Sequence, residues 1–362
     1  MTPPAPILTP ALLVDIFDAP VPYKEDSEEA QCSAIIDKLS ASEVEAAART
    51  SYAYHVASAS SDDDIRALAT DDVRRKMALR MARRHLEQKC LHGSRMKALE
   101  SFRDCLKFRS EWEVDKLRFC FRRKDDGGDA MAGGDAATNG AAAADHKNEG
   151  GSRGIKCASL SIREEELPDA ATRAKYEAMI RADEAAQPLF VRGRDVKDRA
   201  VVVKFPRTTA ECDEDSYVLA HIYVAERGVA ATEIYSRGRE EKLLAVVDFE
   251  NYGESCRPPF RAIKRLSRTL QDNYPERLDH FIVIEPPFWV RALFSMMRPF
   301  LDPDTKGKVV LVNGEAQRVE RVSPHIERRE AMPFMLPGGE LSSKVDVDQY
   351  MHDIPFFASY EV

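Results

Sequence analysis

Glu276, Thr305 and Lys308 stand in a block, residues 274–312, that alternates strand, helix and strand around them in otherwise apolar surroundings. A carboxylate and an ammonium buried there each cost roughly several kcal/mol unless something satisfies them. A charged ligand group held by Glu276 and Lys308 satisfies both. A structural ion pair between two turn residues also does so, and spacing alone favours the ion pair.

Other chemistry finds little support. Gly150-Gly151-Ser152-Arg153-Gly154 fits the Gly-x-Ser-x-Gly nucleophile pattern, but no strong strand precedes it and no helix follows immediately, so the elbow cannot form. There is no Walker A sequence, no Gly-x-Gly-x-x-Gly and no His-Glu-x-x-His. The 8 histidines show no ligand spacing, and His221 fits a surface or core histidine better than a base. Seven cysteines, an odd number, sit far apart without a Cys-x-x-Cys pair. That argues against a disulfide framework or a zinc site, and reduced thiols suggest the cytosol. No catalytic residue, cofactor or metal is expected.

The elements that must position the three polar residues follow from periodicity. Ala200–Phe205, Leu243–Phe249, Phe281–Ile284 and Val309–Val312 are near-continuous apolar runs, as expected of parallel strands covered by helices. Between them, residues 215–237 and 259–273 carry apolar residues at helical spacing, the second with Arg261, Lys264, Arg265 and Arg268 outside. This alternation predicts an α/β fold. Upstream, Ser60 and Ser61 followed by Asp62, Asp63 and Asp64 form a helix start, and helices are expected over 62 to about 90 and 95 to about 110. A further helix is expected at about 163–187.

The domain expectations are a flexible leader at 1–60, loose apart from one helix near 27–58, and a helical subdomain at 61–122. A disordered Gly/Ala/Asp-rich insert follows at 123–156, then the main domain at 157–346 and a tail at 347–362. The insert has too few large apolar side chains to offset chain entropy. The length of 362 residues permits this division. A net charge of −8 excludes a nucleic-acid binder by overall electrostatics, although residues 74–124 hold 17 Lys/Arg against 6 Asp/Glu. That basic stretch suits either an anionic membrane or a solvated helical surface. The apolar stretch Ile7 to Ile16 lacks a preceding Lys or Arg and contains Asp15, making a poor signal or transit peptide. No apolar run approaches a bilayer span, so membrane contact is expected to be peripheral.

The block at 274–312 resembles the CRAL-TRIO lipid-binding domain, in its phosphatidylinositol transfer branch. The matching residues are Tyr274-Pro275-Glu276-Arg277, Pro286-Pro287-Phe288, Pro299-Phe300-Leu301-Asp302-Pro303, Thr305 and Lys308, with Asp248-Phe249, Gly253 and Leu336-Pro337-Gly338-Gly339 around them. The resemblance covers roughly 75–122 and 185–345. It implies a mostly parallel sheet floor covered by helices, with a gate helix, preceded by a small all-helical subdomain. It also implies that Glu276, Thr305 and Lys308 grip an inositol phosphate headgroup. A further phosphate contact falls on Arg84 if a two-residue insertion near Gly93 is allowed, with Arg83 the neighbouring candidate. Where relatives that also carry phosphatidylcholine tend to have Ser and Thr, this chain has Leu243 and Ala245, so the second ligand is expected to be less polar or differently held.

Residues 288–300 place Phe288, Trp289, Leu293, Met296, Met297 and Phe300 on one broad stripe. Spacing alone suits a core helix. The resemblance implies a gate over a lipid cavity, with two adaptable methionines, Pro299 ending the helix and Gly307 as a hinge. The expected function is non-enzymatic exchange of phosphatidylinositol between membranes, by a cytoplasmic monomer in transient contact with a membrane surface. Two alternatives keep the fold: a carrier of a neutral hydrophobe of tocopherol, retinoid or sterol type, and an adaptor presenting phosphoinositide to a kinase.

Overall fold

The computed structural model describes residues 8–88, 94–121, 162–186, 189–206, 213–253, 258–297, 303–342 and 350, without the side chains of 184–186, 297 and 303–305. The expected insert at 123–156 and most of the tail lie outside the described residues.

Among the described residues, five strands form one sheet in chain order: β1 (Leu189–Arg194), β2 (Ala200–Lys204), β3 (Leu243–Asp248), β4 (Leu278–Ile284) and β5 (Val309–Val312). β2 to β5 run parallel, while β1 pairs antiparallel with β2. The α/β expectation therefore holds, with β1 added at the edge. Periodicity missed β1 because Arg192, Gly193 and Arg194 break its apolar run.

The main-domain helices are α9 (Ala170–Ala186), α10 (Glu214–Tyr235), α11 (Phe260–Asn273), α12 (Phe288–Met297), α13 (Pro303–Lys308) and α14 (Gly314–Val322). α10 starts on Asp213, whose carboxylate accepts from the amides of Asp215 and Ser216, and is buried on nearly every side. A Cβ at Gly228 would lie 3.1 Å from the side chains of both Val202 and Leu243, so glycine lets α10 sit directly on the sheet. Four parallel strands in chain order with right-handed crossovers place their connecting helices on that same face.

The two faces differ. Val202, Ala245, Phe281 and Val309 lie in register across four strands, on the face that meets α10, and all four are only half-buried. The alternating residues Val201, Val203, Leu244, Val246, Ile282 and Ile284 are fully buried. One apolar face is thus packed and the other partly open.

The N-terminal segment departs from expectation. Residues 10–59, expected as a mostly loose leader, form α1 (Pro10–Asp18), α2 (Asp26–Ile36), α3 (Ala41–Ala48) and α4 (Tyr52–Ala59). Leu13, Ile16, Tyr52 and Val56 of α1 and α4 belong to the same core as the sheet. Caps recur in this region: Thr9 opens α1, and Ser40 with Glu43 makes a capping box on α3. The expected helices of the next segment appear as α5 (Asp63–Ala67), α6 (Asp71–Leu86), α7 (Arg95–Glu111) and α8 (Val114–Leu117). α2, α3, α6 and α7 share a second, smaller core. Tyr350, in the expected tail, is buried.

Candidate functional site

Lys242, Glu276 and Lys308 occupy equivalent places. Lys242 immediately precedes β3, Glu276 stands two residues before β4, and Lys308 immediately precedes β5. Neighbouring parallel strands bring their starts together, although Lys242 and Lys308 stand 66 positions apart in the chain. The amide of Leu243 donates to the Arg277 carbonyl at 2.8 Å, fixing the first two starts side by side.

The carboxylate of Glu276 lies 3.5 Å from Lys308 Nζ and 3.7 Å from Lys242 Nζ. The pairing of Glu276 and Lys308, expected from the sequence, is therefore present, and Lys242 is an addition. Glu276 has φ +54°, a left-handed backbone that non-glycine residues rarely adopt. It is set by the tight turn Tyr274-Pro275-Glu276-Arg277, where Pro275 is buried. Thr305 belongs to α13, but its side chain lies outside the described residues. Gly307 is exposed in that helix, with open space where a Cβ would stand.

Arg84, where the resemblance implies a phosphate contact, pairs with Glu241. It is buried on α6 and donates to Glu241 Oε1 at 2.8 Å. Arg80 donates to the same oxygen at 3.4 Å, Arg83 pairs with Oε2, and Arg277 donates to the Glu241 carbonyl at 2.8 Å. Burial pushes the Glu241 carboxyl up, but Arg84, Arg80 and Arg83 outweigh burial and hold it at about 2. Burial and the neighbouring Arg277 pull the Arg84 guanidinium down to about 9. Arginine is in excess around this one carboxylate. Arg84 is thus a buried member of an ion cluster, and two of its other residues, Glu241 and Arg277, adjoin Lys242 and Glu276 in the chain.

On the expected gate helix the stripe divides. Phe288 is 84% exposed and Met296 64% exposed, while Trp289 and Leu293 are half-buried. The Trp289 ring lies 6.1 Å from both Phe249 and Tyr252, close after β3. The Met297 side chain, Pro299 and Phe300 lie outside the described residues. Of the positions where relatives have Ser and Thr, Leu243 is buried against α10 and Ala245 belongs to the half-buried row. Among the described residues, no helix is long and apolar enough to cross a membrane.

Sequence reasoning missed Lys242 and Glu241. The missed signal was positional: Lys242 stands before an apolar strand as Lys308 does, which becomes visible only when strand starts are compared.

Residues 185–331 match the family described as the CRAL/TRIO domain. Over 94 residues the chain is 36% identical to the phosphatidylinositol transfer protein PDR17 of Saccharomyces cerevisiae, covering 25% of this chain and 26% of that protein. It is 30% identical over 92 residues to the SEC14 cytosolic factor of Eremothecium gossypii, covering 25% of this chain and 29% of that one. Each match thus spans little more than a quarter of the curated relative. A crystal structure of Sfh5 aligns with a TM-score of 0.46 at 13% identity, covering 83% of this chain and 84% of that one.

Proposed function

This chain carries a CRAL/TRIO domain, and on that premise we propose that it binds phosphatidylinositol without chemical turnover and exchanges it between membranes. The observation that carries the reading is the charged group at the strand starts, Glu276 with Lys308, beside an apolar sheet face left half-covered. In this reading the acyl chains lie along the part of the row formed by Ala245, Phe281 and Val309, and α12 covers them. The chains leave one apolar environment for another, so the roughly 0.8 kcal/mol per buried CH₂ nearly cancels and extraction is close to balanced. Headgroup contacts then choose the lipid, each charge-assisted hydrogen bond contributing about 1.5–3 kcal/mol. Thr305 adds a hydroxyl donor to the same site. Arg84 holds Glu241 and supports the site from behind. The apolar face of α12 touches the bilayer interface during exchange.

Native mass spectrometry with lipid extraction tests this on wild type and Lys308→Ala. The expected result is phosphatidylinositol on the wild type, reduced at least tenfold in the variant, with any neutral lipid retained. A neutral hydrophobe on both proteins would make Glu276 and Lys308 a purely structural pair and the protein a carrier of neutral cargo. Transfer between donor and acceptor vesicles then separates an exchange protein from an adaptor, which holds lipid without moving it.

A further inference from the structure

The proposed headgroup site contains one cation more than its carboxylate requires. Lys242 and Lys308 both approach the same oxygen, Oε2 of Glu276, at 3.7 and 3.5 Å. Both contacts are longer than the roughly 2.7–2.9 Å of a charge-assisted hydrogen bond. Each ammonium carries three donors, and among the described residues neither donates a hydrogen bond. The side chains are 34%, 22% and 21% exposed for Lys242, Glu276 and Lys308, so they remain open to an incoming group. The local balance is one positive charge. Glu276 is held at this spot by a left-handed backbone, a conformation that needs a surrounding structure to impose it.

We propose that Lys242 is a headgroup-binding residue that, with Lys308, clamps one phosphodiester between two ammonium groups, an inference that rests on the lipid reading above. The phosphate monoanion neutralises the extra cation. Glu276, released from the lysines, accepts hydrogen bonds from the hydroxyls of a polyol such as inositol. A choline headgroup supplies no hydroxyl and brings its own cation next to the lysines. Lys242 therefore sets the preference for the anionic polyol lipid over the zwitterionic one. Both lysines reach the site because each opens a parallel strand beside β4.

The test uses the full chain as wild type, Lys242→Met and Lys308→Met, each incubated with phosphatidylcholine vesicles containing phosphatidylinositol. Native mass spectrometry then reads the ratio of the two lipids on the protein. The expected result is a ratio lowered about tenfold by Lys242→Met, with an unchanged urea midpoint. Should that variant not fold, Lys242→Gln takes its place. An unchanged ratio in Lys242→Met alongside a fall in Lys308→Met overturns the assignment of Lys242 and leaves the lipid reading standing. Absence of phosphatidylinositol from the wild type sinks the lipid reading itself. A parallel titration with free inositol 1-phosphate separates the sources. Binding as tight as that of the lipid, with the same dependence on Lys242, would identify a soluble phosphate ligand and overturn the lipid clamp.

Discussion

Glu241 is the carboxylate on which Arg80, Arg83 and Arg84 converge, and all four side chains are buried. Removing one partner from such a group costs more than the group contributes, because the remaining charges stay desolvated. Glu241→Gln is expected to destabilise the fold by roughly 3–5 kcal/mol at neutral pH, read as a shift in urea unfolding. The pH dependence has a definite sign. The folded carboxyl, at about 2, lies below its ordinary value of 4.5. Its contribution is therefore fully present above pH 4.5 and is lost as pH falls through the interval down to about 2. Wild-type stability should decline across that window more steeply than that of Glu241→Gln, and equal slopes would show that Glu241 is not held ionised by its arginines. Glu226 acts in the same direction. Its carboxylate accepts from Arg109 at 2.8 Å, Arg118 at 2.5 Å and the Tyr274 hydroxyl at 2.7 Å, tying the turn that carries Glu276 to α7 and α10. None of these partnerships is visible in the sequence, where Arg84 and Glu241 stand 157 residues apart.

α12 shows how far periodicity reaches and where it stops. Its apolar residues and its start at Phe288 agree with the sequence, where the helix follows a proline pair. Which side faces the protein was not legible, since the stripe is broad. Trp289 and Leu293 point inward, while Phe288 and Met296 are left to solvent. Exposed side chains contribute little to folding, so Phe288→Ser should leave stability within about 0.5 kcal/mol. If α12 enters the bilayer interface, the same change should slow vesicle-to-vesicle lipid transfer several-fold. Unaltered transfer would remove α12 from the membrane-contacting surface. The strand starts tell a related story. Apolar runs predict strands, but the juxtaposition of Lys242, Glu276 and Lys308 needs their order in the sheet, which depends on crossover geometry rather than on local composition.

The protein closes around a core that its two ends help to build. α1 and α4 contribute Leu13, Ile16, Tyr52 and Val56 to the cluster that also holds β2, β3 and β4. Tyr350 joins from the other end. The amide of Val191 on edge strand β1 donates to its hydroxyl at 2.8 Å, and the Arg227 guanidinium lies 3.7 Å from its ring centre and donates to its carbonyl at 2.8 Å. Losing this ring from a filled site should cost about 3–5 kcal/mol. Tyr350→Ala is expected to lower the thermal midpoint by several degrees, and an unchanged midpoint would mean that this residue does not hold the edge strand.

The sequence by itself determined the alternation of strand and helix, the resemblance that named the domain, and the Glu276–Lys308 pair. Each of these is written in a short window, as an apolar period, a capping residue or a fixed motif. Tertiary structure decided the rest. It made the leader a set of packed helices, since α2 alone has too weak an apolar stripe to announce where it docks. It turned Arg84 toward Glu241, brought Lys242 to the candidate site and exposed Phe288 and Met296. The physical reason is common to all four. Burial and charge pairing depend on which distant segments share a neighbourhood, and that is settled only when the sheet and its helices close on one core.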